Sequence, residues 1–301
     1  METQPKNGTV LALGNFDGVH IAHAKLLQTA ARTAAEERLL FGVYTFRTNT
    51  KTALGINRHG LLTTPEERKR RLYACGAEMI YEEDFDAVRD MEPSAFVPYL
   101  INRFAAGALV CGDNFTFGRG AAGTSRDLVR FAREQNINVT VLPTEYLDGV
   151  PVSAGAIRAY IAAGDIEKAS AMLGRRYALT AEVVPDRQIG RTLGFPTINQ
   201  PFAHGVCLPR RGVYAVECAF GGEVKQGVCN VGIRPTFGDI SDVIAETHLF
   251  DFDGELYGTT VTTSFLQFIR DERRFASPDA LTVQLKADAD AARRFFGNTG
   301  R

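Results

Sequence analysis

At 301 residues, with 45% apolar and 23% charged side chains, the chain is long enough for about two globular domains with ample core. A formal net charge of −1 gives no electrostatic reason to expect nucleic acid or an acidic membrane as partner, and no apolar run approaches the about 20 residues of a spanning helix. The polar start METQPKNGTV lacks the apolar centre of a signal peptide, and five scattered cysteines (Cys75, Cys111, Cys207, Cys218, Cys229) without a CxxC pair suit reduced thiols, so a cytoplasmic protein is expected.

In chain order, residues 8–13 (TVLALG) read as a buried strand, followed by the loop Gly14-Asn15-Phe16-Asp17-Gly18-Val19-His20-Ile21-Ala22-His23. A helix is predicted from Ala22 to Leu39, with Leu26, Leu27, Ala30, Ala31 and Ala34 on one stripe. Residues 39–46 form a second strand. Thr64-Pro65-Glu66-Glu67 starts a helix with a capping hydroxyl, a proline at the first position and carboxylates at the positive dipole end. Ser94 is predicted to cap a helix through Phe104, a strand at 108–111 leads into Gly112-Asp113-Asn114-Phe115-Thr116-Phe117-Gly118, and a helix at 124–135 precedes a strand at 137–142. Strand–helix alternation of this kind implies a parallel sheet with helices on its faces, and ligands beyond the carboxyl ends of its strands. The loop at 14–23 is in that position. His20 and His23, three apart at a helix N-terminus, make better sense as a phosphate clamp than as a metal site, since no carboxylate ligand accompanies them.

Short helices over 156–173, broken at Gly164-Asp165, join the halves, with the boundary near residue 178. Beyond it, strand-like runs at 177–184, 212–220, 224–231, 243–250 and 260–268, with turn signals at Gly221-Gly222 and Asp253-Gly254, predict an antiparallel sheet closed into a small barrel. A final helix begins at Ser277-Pro278, with Leu281, Leu285, Ala289 and Ala292 on one stripe. Within this half, Gly190-Arg191-Thr192-Leu193-Gly194-Phe195-Pro196-Thr197-Ile198-Asn199 joins a flexible glycine backbone and a fixed positive charge to a hydroxyl and an amide oxygen two residues apart. In extended chain Thr197 and Asn199 share a face, as ligands of Mg²⁺ and phosphate would; a plain glycine–proline turn is the other reading. Ile244, Glu246, His248 and Phe250 share one face of a strand, which sets a carboxylate among apolar neighbours, although a strand glutamate is ordinarily just exposed.

GRTLGFPTIN resembles the phosphate- and magnesium-binding segment of riboflavin kinases. Gly212-Val213-Tyr214-Ala215-Val216, Asn230-Val231-Gly232-Ile233-Arg234-Pro235-Thr236-Phe237, Glu246-Thr247-His248-Leu249, Leu256-Tyr257-Gly258 and Arg270-Asp271-Glu272-Arg273-Arg274-Phe275 follow in that family's order. GNFDGVHIAH resembles the GxFDGxHxGH segment of nucleotidyltransferases, in particular the FMN adenylyltransferase domain that bacteria fuse to riboflavin kinase, and CGDNFTFG resembles that domain's second ligand-binding segment. The resemblance implies a Rossmann-like nucleotidyltransferase domain over 1–178 and a riboflavin kinase barrel over 179–301. It implies ATP as co-substrate with Mg²⁺, and riboflavin, FMN and FAD as the other ligands; no obligate protein partner is evident.

By that resemblance Glu246 is the base for the riboflavin 5′-hydroxyl, Thr197 and Asn199 hold Mg²⁺, and Gly190 and Arg191 lie along the ATP phosphates. Arg270, Arg273 and Phe275 line the flavin side. In the other half His20 and His23 stabilise phosphate charge, Gly14, Asn15, Phe16, Asp17, Ser153 and Arg158 belong to the ATP site, and Asn114 belongs to the flavin site. Three positions depart from the family pattern: Ala22 replaces a glycine, Val152–Arg158 keeps only Ser153 of a hydroxyl run, and Arg47-Thr48-Asn49-Thr50 lacks a His-Pro. A weakened adenylyltransferase, or one using Thr45 or Thr48 as another donor, is therefore expected. A kinase with a degenerate N-terminal domain and a flavin-sensing regulator without turnover are the alternatives.

Overall fold

A computed structural model describes residues 8–55, 60–185, 195–234 and 242–299. By contacts the chain divides into Met1–Ala156 and Ile157–Arg301, so the helical residues 157–173 go with the second unit.

The first unit runs β1 (Thr9–Leu13), α1 (Ile21–Glu37), β2 (Leu40–Phe46), α2 (Thr50–Ala53), α3 (Pro65–Ala74), β3 (Met79–Glu83), α4 (Phe85–Val88), α5 (Pro93–Phe104) and β4 (Ala106–Gly112). Then come the short strands β5 (Thr116–Phe117) and β6 (Gly123–Thr124), α6 (Ser125–Glu134), β7 (Asn138–Leu142), the short pair β8 (Tyr146–Leu147) and β9 (Val150–Pro151), and α7 (Ala154–Ala163), which runs across the division. The strands β3-β2-β1-β4-β7 form a parallel sheet, as the alternation requires. Alternation along β1 sets its two layers. Val10 and Ala12 pack with Leu27 and Ala30 of α1 and Leu72 of α3, while Leu11 and Leu13 pack with Phe96 and Leu100 of α5 and Leu128 of α6.

One strand adds to the expected ones and one local expectation is corrected. The strand β3 ends in Glu82 and Glu83, which Arg68 and Lys69 hold at Glu82 and Tyr99 and Arg103 at Glu83. Helix α5 starts at Pro93 with Glu92 in the cap position and no side-chain cap, so Ser94 lies inside the first turn. The cap at Thr64 is as expected, its hydroxyl accepting from the Glu67 N–H at 3.2 Å.

The second unit continues with α8 (Ile166–Leu173), β10 (Ala178–Glu182), β11 (Ile198–Pro201), β12 (Gly212–Phe220), β13 (Glu223–Arg234), β14 (Asp242–Leu249), β15 (Thr260–Asp271) and a terminal helix α9 (Pro278–Thr299). The strand order is β10-β15-β12-β13-β14-β11, antiparallel throughout, and a bridge between Val184 and Asn199 draws the two edges together into a nearly closed barrel. Gly221 and Gly222 take positive φ (55° and 85°), the geometry a two-residue hairpin needs. Tyr214 and Phe265 fill the interior, 5.2 Å apart edge to face. A buried amide is satisfied there: Gln200 donates to the carbonyls of Ala181 and Val261 and accepts from Thr263 Oγ1. Outside, Ala289 and Ala292 of α9 pack on Val213, Ala215 and Val228.

Gly212 opens β12 at φ 145°, and a Cβ there would lie 2.2 Å from the Arg270 carbonyl oxygen. Backbone cannot yield as a side-chain tip does. Gly212→Ala is expected to destabilise this unit by about 2–4 kcal/mol, read as a lower unfolding midpoint of the barrel transition in denaturant; an unchanged midpoint contradicts the close approach.

Candidate active sites

In the first unit the chain steps outward from β1 in opposite directions, to β2 and β3 on one side and to β4 and β7 on the other. The crevice outside the carboxyl ends of β1 and β4 is therefore the topological switch point, where open α/β sheets bind ligands. The loop 14–20 and the segment from Asp113 flank it. Asn114 is exposed there, while its neighbour Asp113 is spent on Thr144, accepting from the N–H at 2.9 Å and from Oγ1 at 2.7 Å.

The loop 14–20 is backbone-strained and tightly tied. Phe16 and Val19 have φ of 50° and 40°, a region non-glycine residues avoid and a β-branched one avoids most. Phe16 is fully buried, and its ring fills the space where a Cβ on Gly14 would sit, at 3.1 Å. Asp17 is 4% exposed, and its Oδ1 accepts from the Leu62 N–H at 2.8 Å. Thr63 Oγ1 accepts from the Gly18 N–H, and the Asn15 amide exchanges hydrogen bonds with Thr50. Thr45, one of the two substitute donors, is buried and donates its hydroxyl to the Asn15 carbonyl at 3.3 Å; Thr48 is exposed at the end of β2. Asn15, Phe16 and Asp17 thus hold the loop's shape with their side chains, and the N–H groups of Gly14 and Val19 are bonded to the Tyr44 and Phe16 carbonyls.

His20 is the N-cap of α1, its Nδ1 accepting from the His23 N–H at 3.3 Å. The two imidazoles stack with centroids 3.6 Å apart and an interplanar angle of 13°. His23 is partly covered as a residue, but its Nδ1 is buried without a hydrogen-bond partner among the described residues. Burial first, and the neighbouring His20 second, hold the His23 pKa well below the usual imidazole value. Both rings sit at the positive end of the α1 dipole, and His20 is itself buried, with 5% of its surface exposed. Ser153 caps α7, its Oγ accepting from the Ala156 N–H at 3.2 Å, and Arg158 is buried on that helix.

In the second unit one cross-strand row gathers the chemistry. Asn199 on β11 is directly opposite Glu246 on β14, Glu246 is opposite Asn230 on β13, Asn230 is opposite Val213 on β12, and Val213 is opposite Arg270 on β15. Directly opposed residues of antiparallel strands project from the same face, so Asn199, Glu246 and Asn230 lie side by side. The alternate row, Thr247, Cys229 and Tyr214, points into the core. Asn199 is 4% exposed and its Oδ1 has no hydrogen-bond partner among the described residues. A buried, unpartnered hard oxygen, with Thr197 two residues away along the same cleft as Leu256 and Tyr257, fits a magnesium ion by donor chemistry. Gly190 and Arg191 lie outside the described residues.

His248 Nδ1 hydrogen-bonds the Pro196 carbonyl at 2.9 Å, and its ring meets Phe195 edge to face, tying the segment before Thr197 to β14. Of the two arginines expected on the flavin side, Arg270 is occupied. Arg270 pairs bidentately with the buried Asp288 of α9 at 2.8 and 2.5 Å and donates its remaining group to the Asp271 carbonyl. Arg273 reaches Gln284 of α9 at 3.3 Å, and Phe275 lies 6.0 Å from the Arg270 guanidinium. Arg270, Arg273 and Phe275 therefore come together against the terminal helix. Asn230 was not foreseen; only its position within the Asn230–Phe237 block marked it. Glu272 is also new: a Cβ on Gly232 would meet its Oε1 at 2.7 Å and the Asn230 Nδ2 at 3.2 Å, so that glycine admits a second carboxylate beside the row.

Comparison with known proteins agrees with this division. Residues 2–156 match the family model described as FAD synthetase and residues 173–296 the one described as Riboflavin kinase. The bifunctional riboflavin kinase/FMN adenylyltransferase of Bacillus subtilis is 33% identical over 302 aligned positions, covering 99% of this chain and 95% of that protein. The protein of the same description from Escherichia coli K12 is 34% identical, covering 98% and 95%. A crystal structure of a Streptococcus pneumoniae protein described as a macrolide-efflux protein superposes with a TM-score of 0.86 at 31% identity, covering 96% of this chain and 95% of that one. Among the described residues of this chain, no helix is long and apolar enough to cross a membrane.

Proposed function

The chain belongs to the bifunctional riboflavin kinase/FMN adenylyltransferase family, and from that premise we propose how its residues divide the two reactions that make FMN and then FAD. The kinase works in the half beginning near residue 179 and the adenylyltransferase in residues 1–178. The observation that carries the residue assignment is the row Asn199–Glu246–Asn230, which sets a carboxylate beside an unpartnered amide oxygen on three adjacent strands.

In the kinase reaction Glu246 accepts the proton of the riboflavin 5′-hydroxyl as that oxygen attacks the γ-phosphorus of ATP. Thr197 and Asn199 would hold Mg²⁺, which supplies neutralisation of phosphate charge when bound. Asn230 orients the sugar-alcohol chain beside the carboxylate. Gly190 and Arg191 are assigned to the ATP phosphates. Arg270, by locking β15 to α9, fixes the wall that Arg273 and Phe275 present to the flavin.

In the adenylyltransferase reaction an oxygen of the FMN phosphate attacks the α-phosphorus of a second ATP and pyrophosphate leaves. His20 and His23 stabilise the charge gathered on the phosphates. Gly14, Asn15, Phe16 and Asp17 keep loop 14–20 in its strained shape; Ser153 and Arg158 are assigned to the ATP side and Asn114 to the flavin side. A cytoplasmic location completes the proposal, supported by five cysteines that form no disulfide.

The test is to incubate purified protein with riboflavin, ATP and Mg²⁺ and chromatograph the flavins over time. FMN appearing first and FAD following is the expected course. FMN that never advances would leave the kinase alone, and unchanged riboflavin would end both assignments.

A further inference from the structure

Arg68 is an arginine with 5% of its surface exposed, on α3, outside every motif named above. Its guanidinium touches three chain segments. Nη2 donates to the Phe46 carbonyl at the end of β2 at 2.8 Å and to Glu82 Oε1 at 3.1 Å near the end of β3, and Nη1 donates to the Asn15 carbonyl at 3.4 Å in the loop after β1. These are the carboxyl ends of three adjacent strands, the edge where the crevice opens. Glu82 does not by itself account for the arginine, because Lys69 Nζ already pairs with its other oxygen at 2.8 Å. The two carbonyls are what only a planar fork with several donors can join.

We propose that Arg68 is a positioning residue for FMN adenylylation: by gripping the Asn15 and Phe46 carbonyls it holds the strained loop 14–20, and with it His20 at the head of α1, in the place where they meet the phosphates. The role rests on the adenylyltransferase reading above. Loop 14–20 contains two residues in unfavourable backbone conformations, so loosening any of its ties lets it shift. Thr63 and the Leu62 N–H hold it at Gly18 and Asp17, Thr50 holds the Asn15 side chain, and Arg68 shares the Asn15 carbonyl with the Thr45 hydroxyl, adding the link to β3 that the other ties lack. Lysine has the charge but cannot span both carbonyls.

The test uses the full chain and measures both steps well below the unfolding temperature. Arg68→Lys is expected to lower kcat for FAD formation by about tenfold or more, with riboflavin phosphorylation unchanged. The double variant Arg68→Met with Glu82→Gln removes both charges; it is expected to remain equally slow, because the carbonyls are still released. Unaltered FAD kinetics in folded Arg68→Lys, restoration of FAD formation in the double variant, or a parallel fall in the kinase step would each overturn the role. Absence of FAD formation in the unsubstituted protein would instead remove the adenylyltransferase reading, and the role with it.

Discussion

Glu246→Gln is expected to lower FMN formation by about two to four orders of magnitude, the usual contribution of a positioned general base, and to leave conversion of supplied FMN to FAD at its original rate. The substitution is nearly isosteric, and glutamine keeps the strand register that pairs residue 246 with Asn199 and Asn230. What disappears is the ability to take a proton. Riboflavin binding should persist, since nothing apolar has been removed, so the loss falls on kcat. Two assays on one preparation check this: riboflavin with ATP and Mg²⁺, and FMN with ATP and Mg²⁺. Full kinase activity would remove Glu246 as the base. Equal loss of both steps would contradict separate sites.

The second large effect concerns the stacked imidazoles. His20→Ala and His23→Ala are each expected to slow FAD formation by about 10²–10³, as the loss of one donor to a developing charge does elsewhere, with the kinase step unaffected. The pair also has a pH signature. The folded-state pKa of His23 is depressed by burial and by His20, so below about pH 6.5 the unfolded chain takes up a proton that the folded one refuses. Stability present above that pH is lost as the pH falls toward the folded value. His23→Gln should flatten this dependence in acid unfolding of the full chain. A dependence that persists unchanged in that variant would place its origin in another group.

Much of both units was legible because the signals were local. The stripe Leu26, Leu27, Ala30, Ala34 is the buried face of α1, and Gly221-Gly222 is the hairpin turn. Thr64, Thr197, Asn199, His20 and His23 each stood within a short pattern whose chemistry could be stated from neighbours alone. What escaped depends on distant partners. Strand β3 ends in two carboxylates whose partners, Arg68, Lys69, Tyr99 and Arg103, arrive from two helices. Arg68 itself finds its partners 53, 22 and 14 residues away, separations no periodicity encodes. Asn15 and Asp17 carry side-chain bonds to Thr50 and to the Leu62 N–H, 35 and 45 residues away, which the short pattern around them does not encode.

The five-strand row has one more consequence. Because successive strand residues point to opposite faces, slipping β14 by a single residue would send the Glu246 carboxylate into the interior position beside Cys229 now held by Thr247 and bring Thr247 out in its place. Such a misregistered barrel would bury a charge and take Glu246 out of the row in the same event. With Glu246 as the base proposed above, turnover of riboflavin reports correct strand pairing in this unit, and specific activity in refolding experiments measures how many molecules have found their alignment.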